Sequence, residues 1–324
     1  MLILTNFPRF PQKWRSSGGM TGEAVMVETV WQILKLSRRA DLIIINCNVK
    51  LTFQLALLYT LLPFLRRPIL SNDIVLRSPK TMASRMTAKV KKALLSRIDH
   101  FSLYFRILDG YEDYYGIGAD RTSYLPFKPN LRYKHDVQAE SDGNYVLCFG
   151  RSERDYDSFF AAMEMLPDLP GAIPPPNFNQ LARHASRFTR PLSELPRNVK
   201  ILEDDGSTES LIKVIQGARV VALPIVRSRI GASGIGTYLN AMLMGKCVIL
   251  TEGPAANDVL SDEALMAPPE DPAALAGMIR RAWEDDNLRG RTALAGRLYA
   301  EGCGGEPELR QRVLDRAIET LVKS

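Results

Sequence analysis

Apolar residues fall into two kinds of run along this chain, and the two kinds alternate. Short continuous runs rich in β-branched residues lie between longer ones with helical spacing. The clearest short run is residues 40–47, Ala-Asp-Leu-Ile-Ile-Ile-Asn-Cys. A run without a polar face suits a strand covered on both sides, as in a parallel sheet. Residues 1–6 and 69–76 read the same way, and 98–105 and 121–126 add strand material around a Tyr-rich helix. Val27, Val30, Trp31 and Leu34 predict a helix over 23–37. Residues 7–21, basic and ending near Gly18 and Gly19, predict a mobile loop. Residues 51–65 predict a buried helix; broken by Pro63, they fall short of the ~20 residues that span a bilayer. Residues 80–97 predict a basic helix.

A polar, aperiodic stretch over 127–143 reads as a linker. Beyond it the alternation resumes. Strands are expected at 144–149, 199–202, 219–224 and 246–251. Helices are expected at 155–166, 207–217, 234–245 and 271–284, followed by C-terminal helices. Residues 168–198, with Pro174, Pro175 and Pro176, predict no strand. Alternating strands and helices in both halves imply an α/β chain of doubly wound parallel sheets.

A length of 324 residues with 46% hydrophobic content supports two such domains, each with its own core. The net charge of +6 conceals an asymmetry: residues 1–140 hold 21 basic and 11 acidic side chains, residues 141–324 hold 21 and 25. The basic half would attract an anionic partner. Cys47, Cys148, Cys247 and Cys303 have neither metal-ligand nor redox-motif spacing; the first three lie in or beside apolar runs and read as small buried apolar residues, which fits a reducing compartment. No charged-then-apolar leader is evident, so no export is expected.

The richest stretch for chemistry runs from Ser233 through Gly234, Gly236 and Thr237 to Gly245, then into an apolar strand. A turn of small residues opening a helix aims backbone N–H groups outward at the positive end of the helix dipole, where phosphate binds. The order Gly231-x-x-Gly234-x-Gly236 is not the dinucleotide fingerprint, which argues against an oxidoreductase. No basic-aromatic module points to nucleic acid.

Three segments of the second half carry a family resemblance. They are Tyr145–Tyr156 with its Gly150-Arg151 turn, 199–224, and the Ser233–Thr251 stretch with Asp271-Pro272 after it. In this order and spacing the chain resembles GT-B glycosyltransferases, specifically family-4-like bacterial polysaccharide enzymes. The resemblance implies two Rossmann-like domains facing each other across a cleft. An acceptor domain, shortened, would occupy 1–130 and a nucleotide-sugar domain 144–302. Residues 303–324 would form a helix packing back on the first domain. Pro68–Asp73, Tyr115-Gly116-Ile117 and Leu125-Pro126-Phe127 match the acceptor domain less closely. The family's two glutamates around the phosphate helix are replaced here by Ala232 and Asn240.

Sugar transfer from a nucleotide diphosphate needs a stabilised leaving group, an oriented sugar and a base for the acceptor. Without an obvious Asp-x-Asp metal motif, the diphosphate falls to side chains and helix termini, and neither metal nor cofactor is expected. Gly150, Arg151, Arg154, Ser233, Gly234 and Thr237 are the candidate diphosphate ligands, with Arg227 and Arg229 behind them. Leu202, Glu203 and Asn240 are candidates for the nucleoside, and Asp73, after an apolar strand, for the catalytic base. His100, His135 and His184 have no motif context.

Residues 77–97 hold seven basic side chains and no acid. Met82, Met86, Val90 and Ala93 share one helical face flanked by Arg85, Lys89 and Lys92, the pattern of a helix lying on an anionic membrane. The resemblance and this charge together imply transfer from a UDP- or GDP-linked sugar to a lipid-linked saccharide acceptor. The reaction would run on the cytoplasmic face of the plasma membrane, in surface polysaccharide synthesis. The other reading is a non-catalytic nucleotide-sugar-binding protein or partner subunit.

Overall fold

The computed structural model describes residues 1–131 and 143–322. Residues 132–142, most of the segment read as a linker, lie outside the described residues, as does His135. The chain divides into two compact units. The first comprises Met1–Pro126, Arg229–Gly231 and Glu306–Ser324; the second comprises Phe127–Ser228 and Ala232–Gly305.

The first unit is built on a seven-stranded sheet. Its strands are β1 (Leu2–Thr5), β2 (Lys13–Arg15), β3 (Thr21–Met26), β4 (Leu42–Asn46), β5 (Ile69–Asn72), β6 (His100–Leu103) and β7 (Thr122–Tyr124). The order is β2-β3-β1-β4-β5-β6-β7, parallel throughout except for the β2–β3 hairpin. The isoleucine run of β4 is fully buried, as its lack of a polar face demands. Four helices intervene: α1 (Val30–Leu36), α2 (Val49–Leu61), α3 (Met82–Leu95) and α4 (Asp109–Tyr115). The chain's last helix, α11 (Glu306–Leu321), also belongs to this unit and packs on β5 and β6.

Two sequence expectations fail here. Residues 21–26 form a strand, not the start of a helix, and 13–15 pair with them, so the expected mobile loop is a hairpin. A local signal sets the helix start later. Thr29 accepts the Gln32 N–H and Gln32 reaches back to the cap, a complete capping box.

The second unit holds β8 (Tyr145–Leu147), β9 (Gly171–Ile173), β10 (Val199–Ile201), β11 (Ala218–Leu223), β12 (Cys247–Thr251) and β13 (Leu265–Ala267). Its helices are α5 (Tyr156–Glu164), α6 (Phe178–Arg183), α7 (Thr208–Gln216), α8 (Ile235–Leu243), α9 (Pro272–Glu284) and α10 (Asp286–Gly302), with α11 (Glu306–Leu321) following. The sheet is wholly parallel, in the order β10-β9-β8-β11-β12-β13. Alternation along each strand fills two cores. Tyr145, Leu147, Val221, Leu223, Val248 and Leu250 face α7, α8 and α10. Val146, Val220, Ala222, Cys247 and Ile249 face α5 and α9.

The strands β9 and β13 and the helix α6 are absent from the sequence expectations. Each strand has three residues, too few to show a period. β9 lies between Pro170 and Pro174, and Gly171 is packed so closely that a Cβ there would stand 2.9 Å from Val199.

Candidate functional site

In the second sheet the strand order reverses between β8 and β11. Ligands of open α/β sheets bind at the carboxyl ends of the strands flanking such a reversal. The loop after β8 carries Gly150–Asp155, and that after β11 leads to Gly234 and α8. Backbone bonds tie the loops together: the Asp155 N–H donates to Pro224 (2.9 Å) and the Val226 N–H to Glu153 (2.8 Å).

Arg154 is the centre of this arrangement. Its side chain is 0% exposed, and among the described residues Nε, Nη1 and Nη2 have no hydrogen-bond partner. Two glycines wall it in. A Cβ on Gly150 would stand 2.5 Å from Nη2, and one on Gly234 would stand 3.1 Å from it. Both glycines also have positive φ, +112° and +81°, which L side chains rarely adopt. Burial pushes the guanidinium's pKa down, and the nearby Cys148 and Tyr156 only partly offset that. The neighbouring Asp155 is turned away: it caps α5 through the Ser158 N–H (3.2 Å) and Ser158 Oγ (2.8 Å) and meets Arg187 at 3.3 Å. An isolated buried cation costs several kcal/mol. Chemically, such a group can receive an anion.

Gly234 is also the N-cap of α8, and among the described residues no side chain caps that helix. Thr237 donates its backbone N–H to the Gly234 carbonyl at 2.9 Å, closing the first turn. The Ile235 and Gly236 N–H groups thus stand at the dipole's positive end. Ser233 donates its hydroxyl to Glu153 Oε2 at 2.7 Å. Gly150, Arg154, Ser233, Gly234 and Thr237 are therefore gathered around one guanidinium and one helix terminus.

Other candidates stand apart. Arg151 is exposed and donates to Gln180 of α6 at 2.8 Å. Arg227 pairs with Glu270 (3.6 Å) and Arg229 with Asp113 (2.9 Å). Leu202 and the exposed Glu203 follow β10, the sheet's edge, two strands from β8. Asn240 is buried, and its Oδ1 accepts the N–H groups of Asn130 (2.8 Å) and Leu131 (2.9 Å). Its oxygen is thus engaged in holding the chain just before the undescribed segment.

In the first unit, Asp73 follows β5 and Cys47 follows β4, both with positive φ, +52° and +47°. The Cys47 thiol donates to Asp73 Oδ2 at 3.1 Å. Burial raises the Asp73 pKa, and the Cys47 bond partly lowers it again. Desolvation and the Asp73 carboxylate hold the Cys47 thiol protonated. Cys47 is exposed while the other three cysteines are buried, which corrects the expectation for this residue: the left-handed turn lifts it off the strand. Beside the pair, Asn72 Nδ2 bridges Asn46 Oδ1 (2.7 Å) and Tyr104 Oη (2.8 Å). Sequence reasoning missed this amide network; only the pairing of β4 and β5 aligns Asn46 with Asn72. On α3, Met82, Met86 and Val90 are 77%, 65% and 62% exposed, and Arg85, Lys89 and Lys92 are exposed beside them. Among the described residues no helix is long and apolar enough to cross a membrane.

Two Rossmann-like sheets in one chain define the GT-B class of fold, and solved structures agree. Anabaena HepE in complex with UDP and glucose is 15% identical with a TM-score of 0.60, covering 91% of this chain and 85% of that one. Sucrose-phosphate synthase from Thermosynechococcus elongatus is 16% identical with a TM-score of 0.62, covering 100% and 89%. The Burkholderia xenovorans trehalose-phosphate synthase with glucose-6-phosphate is 13% identical with a TM-score of 0.61, covering 90% and 75%. No curated protein sequence matches the chain. Residues 170–285, from β9 to the end of α9, match the family of glycosyl transferases group 1. That stretch, about a third of the chain and all of it in the second unit, is thus similar to the family.

Proposed function

We propose that this protein transfers a sugar from a nucleoside-diphosphate donor to a membrane-held, lipid-linked saccharide. One observation carries the reading: the buried, unpartnered Arg154 guanidinium beside the open N-terminus of α8. Charge develops on the leaving diphosphate as the glycosidic bond breaks. A fixed cation and aligned N–H groups stabilise that charge without reorganising. Gly150, Ser233, Gly234 and Thr237 shape the seat. Arg151, which donates to Gln180 in the ligand-free chain, is a further diphosphate ligand, and Leu202 and Glu203 receive the nucleoside, while Asn240 holds residues 130 and 131. No metal is needed in this scheme. Asp73 is the base for the acceptor hydroxyl; burial raises its pKa, which makes its carboxylate a stronger proton acceptor than an ordinary one.

A UDP-sugar is the first donor to test, since Anabaena HepE has been solved with UDP and with UDP-glucose; GDP-sugars follow. The exposed Met82, Met86 and Val90 stripe with Arg85, Lys89 and Lys92 supports docking on an anionic membrane, hence work at the cytoplasmic face in polysaccharide synthesis. Ala232 and Asn240, standing where the related enzymes carry glutamates, favour the second reading, a non-catalytic binder or partner subunit. Thermal unfolding with a panel of UDP- and GDP-sugars separates the outcomes. A donor at a hundredfold excess over Kd stabilises the protein by about 2.7 kcal/mol. Stabilisation with transfer to membrane lipid extract supports the enzyme, and stabilisation without turnover supports the binder. No stabilisation by any sugar nucleotide contradicts both.

A further inference from the structure

The loop that supplies Arg154 also supplies a carboxylate for which the reaction above has no use. Glu153 is half-buried, and its backbone lies in the left-handed region at φ +50°. Its neighbours hold it there: its N–H donates to the His184 carbonyl (2.9 Å) and its carbonyl accepts the Val226 N–H (2.8 Å). A non-glycine residue keeps this conformation where its surroundings over-determine it. The side chain is fixed as well, since Oε2 accepts the Ser233 hydroxyl at 2.7 Å. Ser233 directly precedes Gly234, the residue against which the unpartnered Arg154 guanidinium lies. A negative charge is thus anchored at the edge of a seat built for an anion.

Such a charge opposes any anion that enters, and more strongly the more charge the anion bears. Donor and product differ in this respect. The diphosphate of a sugar nucleotide is esterified at both ends. Release of the sugar exposes a terminal phosphate that carries about one further negative charge at neutral pH. We propose that Glu153 is a selectivity residue that disfavours the free nucleoside diphosphate relative to the sugar nucleotide, and so speeds exchange of product for donor. The inference rests on the donor-site reading above. One extra charge at about 6 Å, under an effective dielectric of ~40, corresponds to about a tenfold difference in affinity.

Calorimetric titration of the full chain with UDP, UDP-glucose, GDP and GDP-mannose tests it. In Glu153→Gln the free diphosphate tightens about tenfold more than its sugar conjugate, and Glu153→Asp keeps the unmodified ratio. Glu153→Asn, whose side chain tolerates positive φ, is the second neutral variant and gives the same shift if the glutamine variant does not fold. Equal changes for the two ligands overturn the inference. So does weakening confined to the sugar conjugate, which would place the carboxylate on the sugar's hydroxyl groups. An unmodified protein that binds none of the four contradicts the donor reading itself, a result distinct from an unchanged ratio.

Discussion

Replacing Arg154 with methionine separates stability from function at one residue. The guanidinium is 0% exposed with three unpartnered nitrogens, so the ligand-free fold bears an uncompensated buried charge. Exchanging buried ionic groups for apolar ones of similar volume stabilises proteins by about 1–4 kcal/mol where the charge is poorly compensated. Methionine is unbranched and apolar, and it occupies the space between Gly150 and Gly234 without bringing a charge into it. We expect Arg154→Met to gain about 2–4 kcal/mol in the second unit. At ~2–4 °C per kcal/mol for a unit of this size, the ligand-free melting temperature rises by about 5–15 °C. Affinity for a sugar nucleotide falls in the same variant, because removing one partner of a desolvated charge contact costs about 2–5 kcal/mol, or at least thirtyfold. Differential scanning calorimetry and isothermal titration read the two effects. A variant that is less stable without ligand, or that binds donor within twofold of the unmodified protein, refutes the reasoning.

Further outcomes follow from the same geometry. Gly150→Ala puts a Cβ 2.5 Å from Arg154 Nη2 at a φ of +112°, so urea titration should show a loss of about 2–4 kcal/mol. His100 is held neutral by burial first and by Arg316 and Arg121 next, so its folded pKa lies below its unfolded one. The unfolded chain then binds the extra proton, and stability falls as pH drops below about 6.5; His100→Gln should flatten that slope in urea midpoints between pH 7.5 and 5.5. Asp73→Asn should abolish transfer while leaving donor affinity unchanged. The acid limb of kcat/KM should lie above the ordinary carboxylate range and move higher in Cys47→Ala, because the thiol bond lowers the Asp73 pKa. Arg85, Lys89 and Lys92 changed together to Gln should weaken sedimentation with anionic vesicles about a hundredfold and leave neutral vesicles unaffected.

The parts of this molecule that were legible beforehand share a physical cause. β4, β8, β11 and β12 are covered on both faces, so their side chains had to be apolar without interruption, and α8 follows a turn of small residues. β9 and β13 escaped notice because three residues show no period and their place comes from neighbouring strands. The β2–β3 hairpin escaped because β3 earns its position by pairing with β1, not by its own hydrophobicity. At the site, Gly150, Arg154 and Gly234 were legible as a group, but not the reason that binds them. Only the folded chain reveals that both glycines are needed to house one guanidinium. Arg151 looked equivalent to Arg154 in sequence, yet three positions further on the loop has turned, sending one side chain out to Gln180 and the other inward. Asn240 looked like a ligand-binding amide because its position on α8 suggested it, whereas its oxygen holds residues 130 and 131.

The central claim is that a diphosphate sits where Arg154 meets the start of α8. A crystal structure with UDP or GDP bound tests it most directly. The account predicts the β-phosphate oxygens within hydrogen-bond distance of the Ile235 or Gly236 amide nitrogens and next to the Arg154 guanidinium. A nucleotide whose phosphates point away from α8, or one held elsewhere on the sheet with Arg154 still unpartnered, would contradict it.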